Sequence, residues 1–123
     1  MDPQQRLLLE HAASVAHAQP TLPRHTSVMV GIATVDYLDA SSSLAMGVYS
    51  ATGNANSVAA GRISYTFGLH GPSVSIDTAC SSSLVGTHYA VQDLRCSRSD
   101  AALAAGVNLI LSVRKSAAFS KTG

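Results

Sequence analysis

The sequence predicts an α/β protein, because short apolar stretches alternate with stretches of helical period along the chain. The predicted strands are 27–32, 73–77 and 101–111. The predicted helices are 2–18, 55–66 and 81–95. Two of the strands are apolar enough to be covered on both faces, whereas three strands alone leave sheet edges and faces bare. We therefore expect the chain to be one piece of a larger α/β domain.

The first helix has a clear start, an apolar stripe and a clear end. Asp2 can cap the helix and Pro3 suits its first position. The stripe of helical period consists of Leu7, Leu8, Ala12, Val15 and Ala16. Pro20 and Pro23 end the helical pattern, and the Ser-Val-Met-Val-Gly-Ile sequence at 27–32 then predicts a buried strand.

The middle of the chain carries weaker signals. Residues 34–46 match neither a helix nor a strand clearly, so their structure stays open at this point. Gly53 and Asn54 give a turn signal before the helix predicted over 55–66. Three residues that break helices follow it: Gly68, Gly71 and Pro72.

The helix predicted over 81–95 has one broad, mainly apolar side. This side carries Leu84, Val85, His88, Val91 and Leu94. Gly86 and Ala90 lie four residues apart and so on one face of the helix, which predicts a close approach to a neighbouring element. Residues 101–111 are apolar at successive positions, as in a strand that is covered on both faces.

Composition and charge argue against several classes of function. The formal net charge is +1 and no Lys/Arg cluster occurs, so no nucleic-acid partner is expected. No secretory signal opens the chain, and its longest apolar run is shorter than the roughly 20 residues of a membrane span. Cys80 and Cys96 would lie about 24 Å apart along one helix. Both thiols are therefore expected to be free, as in the cytoplasm or a reducing organelle, and neither has metal-site spacing.

The segment 75–84, Ser-Ile-Asp-Thr-Ala-Cys-Ser-Ser-Ser-Leu, places Cys80 between a predicted strand and a predicted helix. Backbone N–H groups and the dipole at a helix start stabilise a thiolate. A sharp strand-to-helix turn also pushes a side chain out of the sheet, and the N–H of such a residue can hold an oxyanion. The pattern suits a nucleophile that accepts an acyl group, but a lone cysteine near a helix start is usually just a small buried residue, so both interpretations stay open on the local pattern alone.

No histidine is an evident base for this thiol. His88 comes eight residues after Cys80, about 12 Å along a helix, so it cannot reach the thiol. We expect His88 to fill a packing position with a hydrogen bond. The other histidines are expected at the surface of the first helix or in loops: His11, His17, His25 and His70.

Four segments resemble the β-ketoacyl synthases, most closely the ketosynthase domain of type I polyketide synthases. They are 1-MDPQQRLLLE-10, 52-TGNANSVAAGRISYTFGLHGPSVSIDTACSSSL-84, 103-LAAGVNLIL-111 and 119-FSKTG-123. The resemblance implies a thiolase-like fold, in which two α/β halves stack as α-β-α-β-α layers. Residues 1–123 would be part of the N-terminal half, without its first strand and without the C-terminal half of the domain.

The resemblance also implies a reaction. Cys80 would accept an acyl chain from the phosphopantetheine thiol of an acyl carrier protein, with the Cys80 N–H as one oxyanion donor. Decarboxylation of a malonyl-type extender would then supply the carbanion for a Claisen condensation. No metal, redox cofactor, nucleic acid or membrane is implied, and the intact domain would be a homodimer.

Alternatives to this interpretation stay open. The two catalytic histidine motifs of the family, His-Gly-Thr-Gly-Thr and Asn-Ile-Gly-His, do not occur in this sequence, so we expect the isolated chain not to catalyse condensation. A fatty-acid synthase condensing domain would share the chemistry. A non-catalytic partner that keeps the thiolase-like dimer surface is also conceivable, but such a chain would usually lose the cysteine first, and Cys80 is present.

Overall fold

The computed structural model describes residues 1–19, 21–41 and 47–121. Its α-helices are α1 (Pro3–Ala18), α2 (Asp36–Ser41), α3 (Ser50–Asn54), α4 (Ala59–Phe67), α5 (Ser82–Arg95) and α6 (Val113–Ser120). Its strands are β1 (Thr26–Ile32), β2 (Ser73–Ile76) and β3 (Ala101–Val107). Short 3₁₀ turns at Asn56–Val58 and Ala79–Ser81 lead directly into α4 and α5. The predicted alternation of strands and helices is confirmed.

The strands form one parallel sheet in the order β2-β1-β3. Central β1 is buried along its whole length, because helices cover both of its faces. Near its end, Gly31 lies opposite Ile76 of β2 and Gly106 of β3. The carboxyl ends of the three strands therefore meet at one edge of the sheet, the edge at which parallel sheets bind ligands.

One face of the sheet is covered by α1 and α4 and holds the hydrophobic core. The core cluster consists of Leu8, Val28, Val30, Ile32, Ala59, Ala60, Ile63 and Leu69. The predicted start of α1 is confirmed, because Asp2 Oδ1 accepts a hydrogen bond from the Gln4 N–H at 2.8 Å. Of the apolar stripe predicted on α1, Leu8 is buried in this core, whereas Val15 is exposed.

The other face of the sheet is covered by α5, whose buried residues are small. A Cβ on Gly86 would stand 3.7 Å from Met29 Cβ and 3.8 Å from Ile76 Cδ1. Ala90, one turn further on, is also buried. The close approach predicted from Gly86 and Ala90 is therefore confirmed. Several larger apolar side chains of α5 face away from the sheet, and Leu84 is 73% exposed.

The strand predicted over 101–111 is shorter and more exposed than expected. β3 ends at Val107, because its pairing partner β1 ends at Ile32, directly opposite. It is an edge strand whose residues are partly or fully accessible. α5 contacts one face of β3, and Leu103, Ala105 and Val107 pack against the core on the other, so the prediction of a strand covered on both faces is confirmed only in part.

The segment between β1 and α4 contains more helix than its turn signals indicated. Residues 36–41 form α2, and residues 42–46 of the same open segment lie outside the described residues. The turn predicted at Gly53 and Asn54 is wrong, because both residues belong to α3, and Asn54 Nδ2 donates to the Ser50 carbonyl at 2.8 Å. None of the described helices has the length and apolar character needed to cross a membrane.

Candidate active site

Cys80 lies on the 3₁₀ turn that joins β2 to α5. β2 ends at Ile76 and α5 begins at Ser82, so the chain changes direction within residues 77–81. The Cys80 side chain is exposed and its thiol is free. The structure thus places this thiol at the start of a helix, as the sequence predicts, and Cys80 is not a small buried residue of the core in this chain.

Side-chain hydrogen bonds hold the turn around Cys80. Asp77 Oδ1 accepts from the Ala79 N–H at 3.0 Å. Ser82 Oγ accepts from the Thr78 N–H at 2.9 Å and donates to the Ala79 carbonyl at 2.7 Å. Ala79 has a φ of 53°, in the left-handed region that costs an L-residue about 1–2 kcal/mol. The contacts of Asp77 and of the buried Ser82 offset this strain and fix the turn.

Two glycines seat the first turn of α5 on the sheet. A Cβ on Gly31 would stand 2.6 Å from Ser83 N and 2.8 Å from the Ser82 carbonyl carbon. A Cβ on Gly106 would stand 2.7 Å from Ser83 Cβ. Only glycine at these positions of β1 and β3 leaves room for the helix start where it lies. The position of Cys80 above the sheet therefore depends on residues of both neighbouring strands.

Cys80 lines a cleft of about 660 Å³ at the carboxyl edge of the sheet. The cleft is mostly apolar, and it is bounded by the ends of β1 and β3, the turn after β2 and α6. Besides Cys80, its lining includes Ala33, Thr34, Asp77, Val107, Asn108 and Phe119. A cleft of this kind can take an apolar chain, while its few polar groups orient the reacting end.

No histidine of the described residues lines this cleft. His88 is exposed, and its ring meets the Tyr89 ring edge-on with the centroids 5.7 Å apart. The predicted packing position for His88 is therefore wrong, because that side of α5 faces away from the sheet. The expected surface positions of His11 and His17 are confirmed. Cys96, the other free thiol, lies at the far end of α5.

Metal-binding clusters of three or more His, Cys, Asp or Glu side chains are absent from the described residues. Sequence reasoning missed Thr34, Asn108 and Phe119 as lining residues. Asn108 directly follows β3, and Thr34 comes two residues after the end of β1. The parallel order of the strands was the signal that could have found them, because it brings their carboxyl ends together. Phe119 lies on α6, a helix that the sequence did not predict.

The resemblance noted in the sequence is confirmed by comparison with known proteins. Residues 1–123 match the family model described as "Beta-ketoacyl synthase, N-terminal domain". The chain belongs to the β-ketoacyl synthase family. Cys80 thus lies in a β-ketoacyl synthase segment, in the turn between β2 and α5.

Curated relatives of this β-ketoacyl synthase chain include polyketide synthases. The chain is 54% identical over 118 residues to Lovastatin nonaketide synthase mokA of Monascus pilosus, a match that covers 90% of the chain and 4% of that protein. It is 45% identical over 130 residues to a phenolphthiocerol/phthiocerol polyketide synthase of Mycobacterium tuberculosis. That match covers 100% of the chain and 8% of the relative, so the chain spans a small part of either protein.

A solved structure confirms the predicted α/β fold of the ketosynthase type. The ketosynthase from module 6 of the bacillaene synthase from Bacillus subtilis 168 matches with a TM-score of 0.83 at 35% sequence identity. The match covers 100% of this β-ketoacyl synthase chain and 21% of the solved chain. The elements described above therefore correspond to one part of a larger ketosynthase fold.

Proposed function

We propose that residues 1–123 are the cysteine-bearing segment of a β-ketoacyl synthase that acts in polyketide biosynthesis. The observation that carries the proposal is the position of Cys80, which is exposed before the first turn of α5 and lines a mostly apolar cleft. Family membership and the polyketide synthase relatives support the reaction class. Because the chain spans 4% and 8% of those two relatives, the segment would act together with further parts of a larger protein.

In the proposed first step, the Cys80 thiolate attacks the carbonyl carbon of an acyl thioester on the phosphopantetheine of an acyl carrier protein. The neighbouring N–H groups of Ala79 and Ser81 are engaged by Asp77 Oδ1 and the Thr78 carbonyl. The Cys80 N–H is our candidate donor to the oxyanion that forms. The intermediate collapses with loss of the phosphopantetheine thiolate, which takes up a proton, and the acyl chain stays on Cys80 Sγ.

In the proposed second step, a malonyl-type extender on the carrier protein loses CO₂ and becomes a carbanion. The carbanion attacks the carbonyl carbon of the acyl-Cys80 thioester, a C–C bond forms and the C–S bond to Cys80 breaks. The products are a β-ketoacyl chain on the carrier and a free Cys80 thiolate. These steps consume no metal or redox cofactor. The histidine motifs of the family do not occur in this sequence, so we expect residues 1–123 alone not to condense substrates.

The proposed partners are an acyl carrier protein and a second copy of the ketosynthase. A fatty-acid condensing domain would use the same chemistry, but the polyketide synthase names of the relatives favour the polyketide pathway. A non-catalytic dimer partner is disfavoured, because Cys80 is present, exposed and part of the lining of a cleft. Two free thiols, Cys80 and Cys96, support a reducing compartment such as the cytoplasm.

The test is covalent acyl loading of the complete ketosynthase that carries this segment, followed by mass spectrometry of the intact protein. Cys80→Ala should abolish loading from an acyl-carrier thioester. Cys96→Ala is the matched control, because it removes the other exposed thiol from the opposite end of α5, and it should load as the unmodified protein does. Loading that persists in Cys80→Ala would show that the nucleophile is another residue.

A further inference from the structure

The side chain of Gln4 connects three segments of the chain. Gln4 lies in the first turn of α1 and is 1% exposed. Its Nε2 donates to the Thr34 carbonyl at 3.0 Å, and its Oε1 accepts from the Thr34 hydroxyl at 2.9 Å. The same Oε1 accepts from the Leu109 backbone N–H at 3.2 Å. One carboxamide thus links α1 to the segment after β1 and to the segment after β3.

These contacts use the whole hydrogen-bonding capacity of the Gln4 side chain. Its Nε2 also donates to Asp2 Oδ2 at 3.3 Å, and Asp2 is itself 1% exposed. A carboxamide has two N–H donors and an oxygen that accepts twice, and here all four are paired. Both partners of Nε2 are acceptors and both partners of Oε1 are donors, which fixes the orientation of the amide. Loss of this group would leave buried partners unsatisfied.

Both segments that Gln4 joins are walls of the Cys80 cleft. Thr34 lines the cleft, and Leu109 directly follows Asn108, another lining residue. The pairing between β1 and β3 ends with Ile32 opposite Val107, so neither wall is held by strand hydrogen bonds. The separation of the two walls beyond the sheet therefore depends on side-chain contacts such as those of Gln4.

The adjacent Gln5 makes an equivalent set of contacts elsewhere. Gln5 is also 1% exposed, its Nε2 donates to the Ala55 carbonyl at 3.0 Å, and its Oε1 accepts from Arg62 Nε at 2.8 Å. Neither of these partners lines the cleft. Gln5 therefore matches Gln4 in residue type, burial and helix, but it ties α1 to the neighbourhood of α4.

We propose that Gln4 is a positioning residue for the Cys80 cleft. It acts through Thr34 and through the backbone at 108–109, and it holds the two walls at the separation at which the acyl thioester is seated. The inference rests on the proposed acyl transfer to Cys80. The turn that carries the thiol is held by other groups, Asp77 and Ser82, so loss of the Gln4 contacts changes the seating of the acyl group and leaves the thiol in place.

The experiment compares Gln4→Met with Gln5→Met in the complete ketosynthase that carries this segment. Methionine has nearly the length of glutamine and lacks its hydrogen bonds, so we expect similar shifts of the urea unfolding midpoint in both variants. Gln4→Met should lower kcat for acyl loading roughly 10- to 100-fold, as expected for a misplacement on the order of 1 Å. Gln5→Met should load at the unmodified rate, and iodoacetamide should alkylate Cys80 at the same rate in all three proteins.

Amide hydrogen exchange gives a readout that does not depend on acyl transfer. The Leu109 N–H should exchange faster in Gln4→Met, because Gln4 Oε1 accepts from that group, and at the unmodified rate in Gln5→Met, because the hydrogen bonds described for Gln5 go to other residues. Should Gln4→Met not fold, Thr34→Val replaces it, since it removes only the hydroxyl that donates to Gln4 Oε1. Thr34→Val should then also slow acyl loading, by a smaller factor than is expected for Gln4→Met.

Two results would overturn the positioning role while leaving Cys80 as the acyl acceptor. One is equal loading by Gln4→Met and Gln5→Met, and the other is unchanged exchange at Leu109 in Gln4→Met. Failure of the proposed function has a different signature, because the unmodified protein itself would then carry no acyl group on Cys80. The positioning role would fall with it.

Discussion

The two faces of the sheet are packed in different ways. The face under α1 and α4 buries branched aliphatic side chains, and Ile32 and Ile63 are 1% and 2% exposed. The face under α5 also buries Met29, but the closest approaches of helix and sheet are made at small residues, among them Gly31, Gly86 and Gly106. The first arrangement removes a large apolar area from water, whereas the second brings the backbone of a helix close to the backbones of the strands.

This difference means that one face of the sheet mainly stabilises the fold, whereas the other mainly positions Cys80. Burial of aliphatic side chains contributes free energy in proportion to the apolar area removed from water. Glycine and alanine bury little area, but they set a short distance between the sheet and the start of α5, where Cys80 lies. We therefore expect substitutions under α1 and α4 to act mainly on the free energy of unfolding, and substitutions under α5 to act mainly on acyl loading.

The largest effect on stability is expected for Ile63→Ala. Ile63 lies in the core cluster, and its truncation leaves a cavity that lowers the free energy of unfolding by about 2–5 kcal/mol. Urea unfolding of the purified protein measures this loss. The folded fraction should load an acyl group at the unmodified rate, and a strong loading defect would remove the distinction between the two faces.

Gly31→Ala is the corresponding test of the α5 face. The new Cβ would stand 2.6 Å from Ser83 N, so the first turn of α5 has to move away from the sheet. We expect a loss of about 1–3 kcal/mol in the free energy of unfolding, as for other overpacked sites. Loading kinetics should show a larger defect than in Ile63→Ala. Normal loading would contradict the claim that close helix–sheet contact positions Cys80.

Ser82→Ala tests the hydrogen bonds of the turn itself. It removes the acceptor of the Thr78 N–H and the donor to the Ala79 carbonyl, which should lower the free energy of unfolding by about 1 kcal/mol. Loading should slow as the turn loosens. Ser14→Ala is the control, because that hydroxyl donates to a carbonyl on the exposed side of α1. Identical loading by both variants would show that Ser82 does not hold the turn.

The smallest expected effect is an increase in the free energy of unfolding, for Gly61→Ala on α4. A Cβ at this exposed position meets nothing within 4 Å. Alanine should therefore raise the free energy of unfolding by about 0.5–1 kcal/mol through helix propensity alone. Thermal unfolding would show the gain as a higher Tm. A loss of stability would mean that glycine at Gly61 has a packing role like that of Gly31.

Local patterns in the sequence were sufficient to predict the main elements and the place of Cys80. The cap at Asp2, the breakers after α4 and the strand-to-helix turn are encoded by neighbouring residues, so the bounds of α1 and α5 come close to the predicted ones. The sequence could also predict that α5 approaches a neighbouring element closely through Gly86 and Ala90, because a spacing of four residues places both on one helix face.

The features that the sequence did not predict depend on contacts between segments that are distant in sequence. The end of β3 at Val107 is set by the end of its partner β1, which the sequence of β3 does not contain. The seating of the first turn of α5 at Ser83 depends on the glycines Gly31 and Gly106 of two strands, which the sequence of the helix does not contain. The buried Gln4 side chain makes hydrogen bonds to residues that are up to 105 positions away in sequence. Patterns of local spacing carry no information on such pairings.

The most direct test of the central claim, acyl transfer to Cys80, is peptide mapping of the two exposed thiols. The complete protein is incubated with an acyl-carrier thioester, treated with iodoacetamide, digested and analysed by mass spectrometry. We expect the acyl group to protect Cys80 from alkylation, while Cys96 is alkylated equally with and without the thioester. Equal alkylation of Cys80 in both samples, or protection of Cys96 in its place, would contradict it.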